Sequence, residues 1–159
     1  MSGKIPRVYL ETTMFNFPFA DDSPQLKADT LKVFDLIKKG KYEPYTSEYV
    51  LQEIRDTTEQ GLRLKMLEYI TKYEIKDLGQ SDEAERLAAL YLEAKAVPAA
   101  YPTDAAHIAM TAINGLDFIV SLNFQHIVRP WTIEKVDAIN EREGYKHIGI
   151  YKPSEVLEL

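Results

Sequence analysis

The segment DFIVSL, residues 117–122, is continuously apolar apart from its first and fifth positions, and stretches of helical periodicity flank it. A run of this kind is expected of a strand covered on both faces, as in the centre of a parallel sheet. Parallel neighbours cannot be joined by a tight hairpin. They need a long crossover, usually a helix, and this requirement constrains the rest of the chain. Four other short β-rich runs satisfy it: RVYLE (7–11), KYEPYTS (41–47), EIKDL (74–78) and HIGIYKP (147–153). Pro44 weakens the second of these or places it at a sheet edge, and Pro153 stops the last.

The segments between them read as helices. In PQLKADTLKVFDLIKKG (24–40), Leu31, Phe34, Leu36 and Ile37 share a stripe, and Gly40 suits the C-terminus. Ser47 is a good N-cap for EYVLQEIRDT, whose apolar side is Val50, Leu51 and Ile54. The spacing in QGLRLKMLEYITKY turns Leu62, Met66, Leu67 and Ile70 inward, and Ser81 opens DEAERLAALYLEAKAV with acids in the first turn. Thr103 is expected to cap a helix that runs to about Asn114 and ends at Gly115; Ile108, Ala109, Ala112 and Ile113 form its apolar face. A final helix, TIEKVDAINEREG, closes at Gly144. Strands alternating with helices predict an α/β fold: one domain over 1–159, in three α/β/α layers around a mainly parallel sheet of about five strands.

Composition narrows the chemistry. The 159 residues include no cysteine, which excludes disulfides, thiolate catalysis and Cys-ligated metals, and only three histidines, which argues against a His-rich metal site. The net charge of -6 argues against a broad basic surface for nucleic acid. A cation-filled acidic pocket can still bind phosphate locally. Neither GxxxxGK[ST] nor GxGxxG is present, so no phosphate-cradling loop supports a nucleotide-binding module. No apolar run approaches the ~20 residues of a membrane span. The opening MSGKIPRVYL lacks the apolar core of a signal peptide, so the cytoplasm is the expected compartment.

Ligands of a parallel sheet gather beyond the C-terminal strand ends, near the switch in strand order. Glu11 follows the first strand and Asn123 follows DFIVSL. Asp104 lies in the first turn of the preceding helix, and Glu53 on the helix after the second strand. Crowded carboxylates raise one another's pKa unless a cation relieves them. Magnesium and manganese favour oxygen ligands, so these four residues point to metal-assisted phosphodiester hydrolysis. Each also has a plainer reading. Asp104 suits a helix first turn, Glu53 a solvated face and Asn123 a turn, while Lys4 or Arg7 is the expected partner of Glu11. His107 and His126 read as structural histidines. Arg129 and Trp131 can contact nucleic acid, although a surface or dimer contact suits Trp131 better.

Three ordered blocks, VYLETT, TSEYVLQEI and TDAAHIAMTAINGLDFIVSLNFQHI, resemble the motifs of the PIN-domain ribonucleases, which include VapC-type toxins of toxin–antitoxin pairs. The resemblance spans residues 7–127. It implies a PIN-like fold with an acidic pocket that holds Mg2+ or Mn2+ and cleaves single-stranded RNA. Carried over by position, Glu11, Glu53, Asp104 and Asn123 are the catalytic and metal-ligating residues, supported by Thr12 and Thr13. It further implies an antitoxin protein as partner and a homodimer. Glu11 stands where an aspartate is usual and Asn123 where an acid is usual. These departures define the alternative: a degenerate domain that binds RNA or a protein without cutting.

Overall fold

The computed structural model describes residues 4–159; the first three residues of the opening stretch lie outside the described residues. The fold is α/β, built on one five-stranded sheet in which every pairing is parallel. The strands are β1 (Arg7–Leu10), β2 (Glu43–Thr46), β3 (Lys76–Asp77), β4 (Phe118–Val120) and β5 (Gly149–Tyr151), in the order β3-β2-β1-β4-β5. The chain steps from β1 outward through β2 to β3, then returns to the other side of β1 for β4 and β5. The switch in strand order therefore falls between β1 and β4.

Eight α-helices among the described residues flank this sheet in a three-layer α/β/α arrangement. They are α1 (Thr13–Asn16), α2 (Pro24–Lys38), α3 (Glu48–Arg55), α4 (Gln60–Lys72), α5 (Asp82–Glu93), α6 (Pro102–Ile113), α7 (Pro130–Glu143) and α8 (Pro153–Val156). No helix among them is long and apolar enough to cross a membrane. The core forms where the strands meet the helices: Val8, Tyr9 and Leu10 of β1 and Phe118, Ile119 and Val120 of β4 are buried with Phe34, Ile54 and Ile108. Helix α6 packs on α5 and is buried along almost its whole length, as its small residues allow.

Several sequence expectations are corrected. β2 is not an edge strand. Glu43 donates its N–H to the Pro6 carbonyl on the β1 side, so alternation turns the Pro44 nitrogen toward β3. β3 begins only opposite Tyr45, so no ladder bond is lost at Pro44. The buried stripe of α2 is Thr30, Val33, Phe34 and Ile37, and Leu31 faces solvent. Thr103 does not cap α6: Tyr101 holds the N-cap position and Pro102 the first turn, where its missing N–H costs nothing. α5 stops at Glu93, and Lys95 takes a positive φ in the turn that follows. α7 is not the last helix, because Pro153, after stopping β5, opens α8. Ser47 and Ser81 do cap α3 and α5, accepting N–H bonds from Tyr49 and Ala84.

Candidate metal centre

The register of β1 and β4 builds the first part of the site. Leu10 lies opposite Val120, so the next residues along, Glu11 and Ser121, leave the sheet side by side at its C-terminal edge. Ser121 donates its hydroxyl to Glu11 Oε1 at 2.5 Å, and Thr13 donates to the same oxygen at 2.6 Å. Each hydroxyl is itself fixed by a backbone donor: Leu122 N–H to Thr13 Oγ1 at 2.8 Å and Asn123 N–H to Ser121 Oγ at 2.9 Å. Glu11 is only 3% exposed, yet its hydrogen bonds come from hydroxyls and not from a cationic side chain. The expected partner Arg7 instead gives its backbone N–H to Asp117 and its side chain to Tyr45.

Helices α3 and α6 supply the second part. Glu53, half-buried on α3, accepts the Thr12 hydroxyl at 2.5 Å and pairs with His107 Nε2 of α6 at 2.6 Å, both through Oε1. The other ring nitrogen of His107 meets the Tyr9 hydroxyl at 2.7 Å, and Tyr9 meets Ser47 Oγ at 2.6 Å. Tyr9, Ser47 and His107 are all buried. The chain of polar contacts thus runs from the cap of α3 through β1 to α6, which fixes the plane of the imidazole.

One ligand atom each from Glu11, Glu53 and His107 lies within 4.8 Å of the others, so this buried group can hold a metal ion. Of the four residues expected from sequence, the structure brings Glu11 and Glu53 into it. Asp104 sits one turn before His107 on α6, but its Oδ2 is 2.9 Å from His126 Nδ1. Asn123 accepts the His126 N–H through Oδ1 at 3.0 Å, the turn role that was its plainer reading. Sequence reasoning left out His107 and Ser121 as site residues. The three-residue spacing of Asp104 and His107 on one helix was the available signal for the first. A serine ending an apolar strand was the signal for the second.

Electrostatics separate the members of the group. Burial pushes the Glu11 carboxyl above its ordinary range, against the pull of the His107 charge and of the Ser121 and Thr13 hydroxyls. Burial works the same way on Glu53, yet the hydrogen bond and charge of His107, with the Thr12 hydroxyl, hold it below its ordinary value. Burial disfavours the His107 imidazolium, but Glu53, Glu11 and Asp104 together raise its pKa. Burial also pushes the Tyr9 phenol well up. A cation bound by these three side chains would take the place of the proton between His107 and Glu53.

The fold and these donors define an α/β domain with a carboxylate–imidazole cluster, able to hold a metal, at the switch point of a parallel sheet. No protein-family model matches the chain, and no curated protein matches it.

Proposed function

We propose that this protein is a divalent-metal-dependent ribonuclease of PIN type, cleaving phosphodiester bonds of single-stranded RNA. The observation that carries the reading is the meeting of Glu11, Glu53 and His107 at the switch point, with Glu11 buried without a cationic hydrogen-bond partner. The donor set, two carboxylates and an imidazole, fits Mn2+ better than Mg2+, because magnesium seeks oxygen ligands in strict octahedral geometry. A bound divalent cation supplies Lewis acidity toward a phosphoryl oxygen and lowers the pKa of a water.

The chain's own residues have separate tasks. Ser121 and Thr13 aim the Glu11 carboxylate, leaving its second oxygen for the cation. Thr12 aims Glu53, which His107 and Thr12 hold below its ordinary pKa while burial holds Glu11 above its own, so of these two acids Glu53 is the readier to stay ionised. Tyr9 and Ser47 hold His107 in plane. An arginine offered by a regulatory protein partner would satisfy these carboxylates and block the site.

A second reading is favoured by one specific observation. Asn123 Oδ1 and one carboxylate oxygen of Asp104, Oδ2, which could serve a wider ligand set, are engaged by His126. This suits a domain that binds RNA and does not cut it. Gel analysis of labelled single-stranded RNA with Mn2+ or EDTA separates the two. The nuclease reading expects manganese-dependent cleavage in the wild type and a loss of at least about a hundredfold in Glu53→Gln, the scale of one removed transition-state contact. Binding without cleavage at saturating Mn2+ selects the second reading, and neither binding nor cleavage overturns both.

A further inference from the structure

A stack of side chains leads to the surface from Asp104, one turn before His107 on α6. Asp104 Oδ2 holds His126 Nδ1, and the His126 ring lies 4.0 Å from the Tyr101 ring, with 32° between their planes. His126 is largely covered, whereas Tyr101 is 47% exposed. The order outward is therefore carboxylate, imidazole, phenol, solvent. Folding does not otherwise account for the Tyr101 side chain. It occupies the N-cap position of α6 without making a side-chain cap bond, and among the described residues its hydroxyl makes no hydrogen bond. Its backbone is nevertheless fixed, with its N–H given to the Pro98 carbonyl at 2.9 Å and Pro102 following in the first helical turn. Phe124, in the same loop as His126, is a further exposed ring at 40%.

We propose that Tyr101, backed by His126, is a stacking platform for a nucleobase of the bound single strand, close to the phosphate held at the metal centre. The proposal rests on the RNA-directed reading of that centre. Six residues of α6, about 9 Å along the helix axis, separate Tyr101 at its N-cap from His107, so a strand whose phosphate reaches the cluster can pass along this end of the helix to the ring stack. A chain of net charge -6 has little general attraction for phosphates. Stacking provides affinity that needs no lysine and tolerates any base. The ring pair is held in place before the strand arrives, so little ordering cost falls on binding.

The test is fluorescence anisotropy with a labelled oligoadenylate of cleavage-resistant linkages in manganese, the cation the donor set suits, with an abasic oligomer of equal length and linkage as control. Tyr101→Ala is expected to weaken oligoadenylate binding at least about fivefold, Tyr101→Trp to restore it, and the abasic oligomer to bind wild type and Tyr101→Ala alike. The slope of affinity against salt should be the same in both, because no phosphate contact is removed. Manganese affinity by calorimetry should be unchanged in Tyr101→Ala, which shows that the variant is folded with an intact centre. Equal oligoadenylate binding by wild type and Tyr101→Ala, or none by the wild type, overturns the platform. Tyr101-dependent binding by a wild type that cleaves nothing in manganese leaves the platform standing and removes the nuclease reading instead.

Discussion

Glu11 is a buried acid whose hydrogen bonds come from two hydroxyls, each held by a backbone N–H of the loop after β4. Removing one donor leaves a buried carboxylate oxygen under-satisfied, which costs about 1–3 kcal/mol. Ser121→Ala is therefore expected to lower stability by about that amount, read as a shifted urea midpoint at unchanged slope. An unshifted midpoint would show that water replaces the hydroxyl without cost. The acid itself was legible in the sequence, because a carboxylate closing an apolar strand has few structural explanations. Its partners were not, since Ser121 meets Glu11 only through the register of two strands 110 residues apart in the chain. His107 was legible as a buried, hydrogen-bonded helix histidine, but its placement against Glu53 depends on how α6 packs beside α3.

Among the elements, β1 is the one that everything else locates. Its start is pinned by Asp117, which accepts the Arg7 N–H at 2.7 Å and the Lys146 ammonium at 3.0 Å. Partial burial works against the Asp117 carboxylate, but the Arg7 and Lys146 bonds outweigh it and hold the pKa below its ordinary 3.8. An acid with a depressed folded pKa contributes stability above its unfolded value and loses it as pH falls through the folded one. Asp117→Asn should therefore destabilise the protein near pH 6, by an amount that shrinks as pH drops below about 3.8. Urea melts of both proteins at the two ends of that range decide it, and a difference independent of pH would contradict the charge-based account. The strands were legible from apolar runs, and Ser47 and Ser81 from capping chemistry. Pro44 misled because its tolerance depends on where β3 begins, a fact of sheet assembly that no local pattern contains. Leu31 misled because the stripe that α2 buries is rotated by about one residue, which helix periodicity alone does not fix.

At the scale of the molecule, the order β3-β2-β1-β4-β5 puts the switch point between β1 and β4 and aims their ends at helices α3 and α6. That parallel architecture was legible in the alternation of strands and helices. The composition of the centre was legible in part, with Glu11 and Glu53 inside it and Asp104 and Asn123 engaged by His126. On the proposed reading the metal-free protein carries the buried Glu11 at a cost, and a bound cation would remove that cost. Glu11→Gln keeps an acceptor for Ser121 and Thr13 but removes the charge that burial penalises. The most direct measurement is calorimetric titration of Mn2+ into wild type and Glu11→Gln at neutral pH, with thermal melts of both in parallel. Saturable binding and a manganese-dependent rise in Tm are expected for the wild type, both lost in Glu11→Gln, whose metal-free melting temperature is at least that of the wild type. Equal manganese binding by the two proteins, or none by the wild type, would contradict that reading.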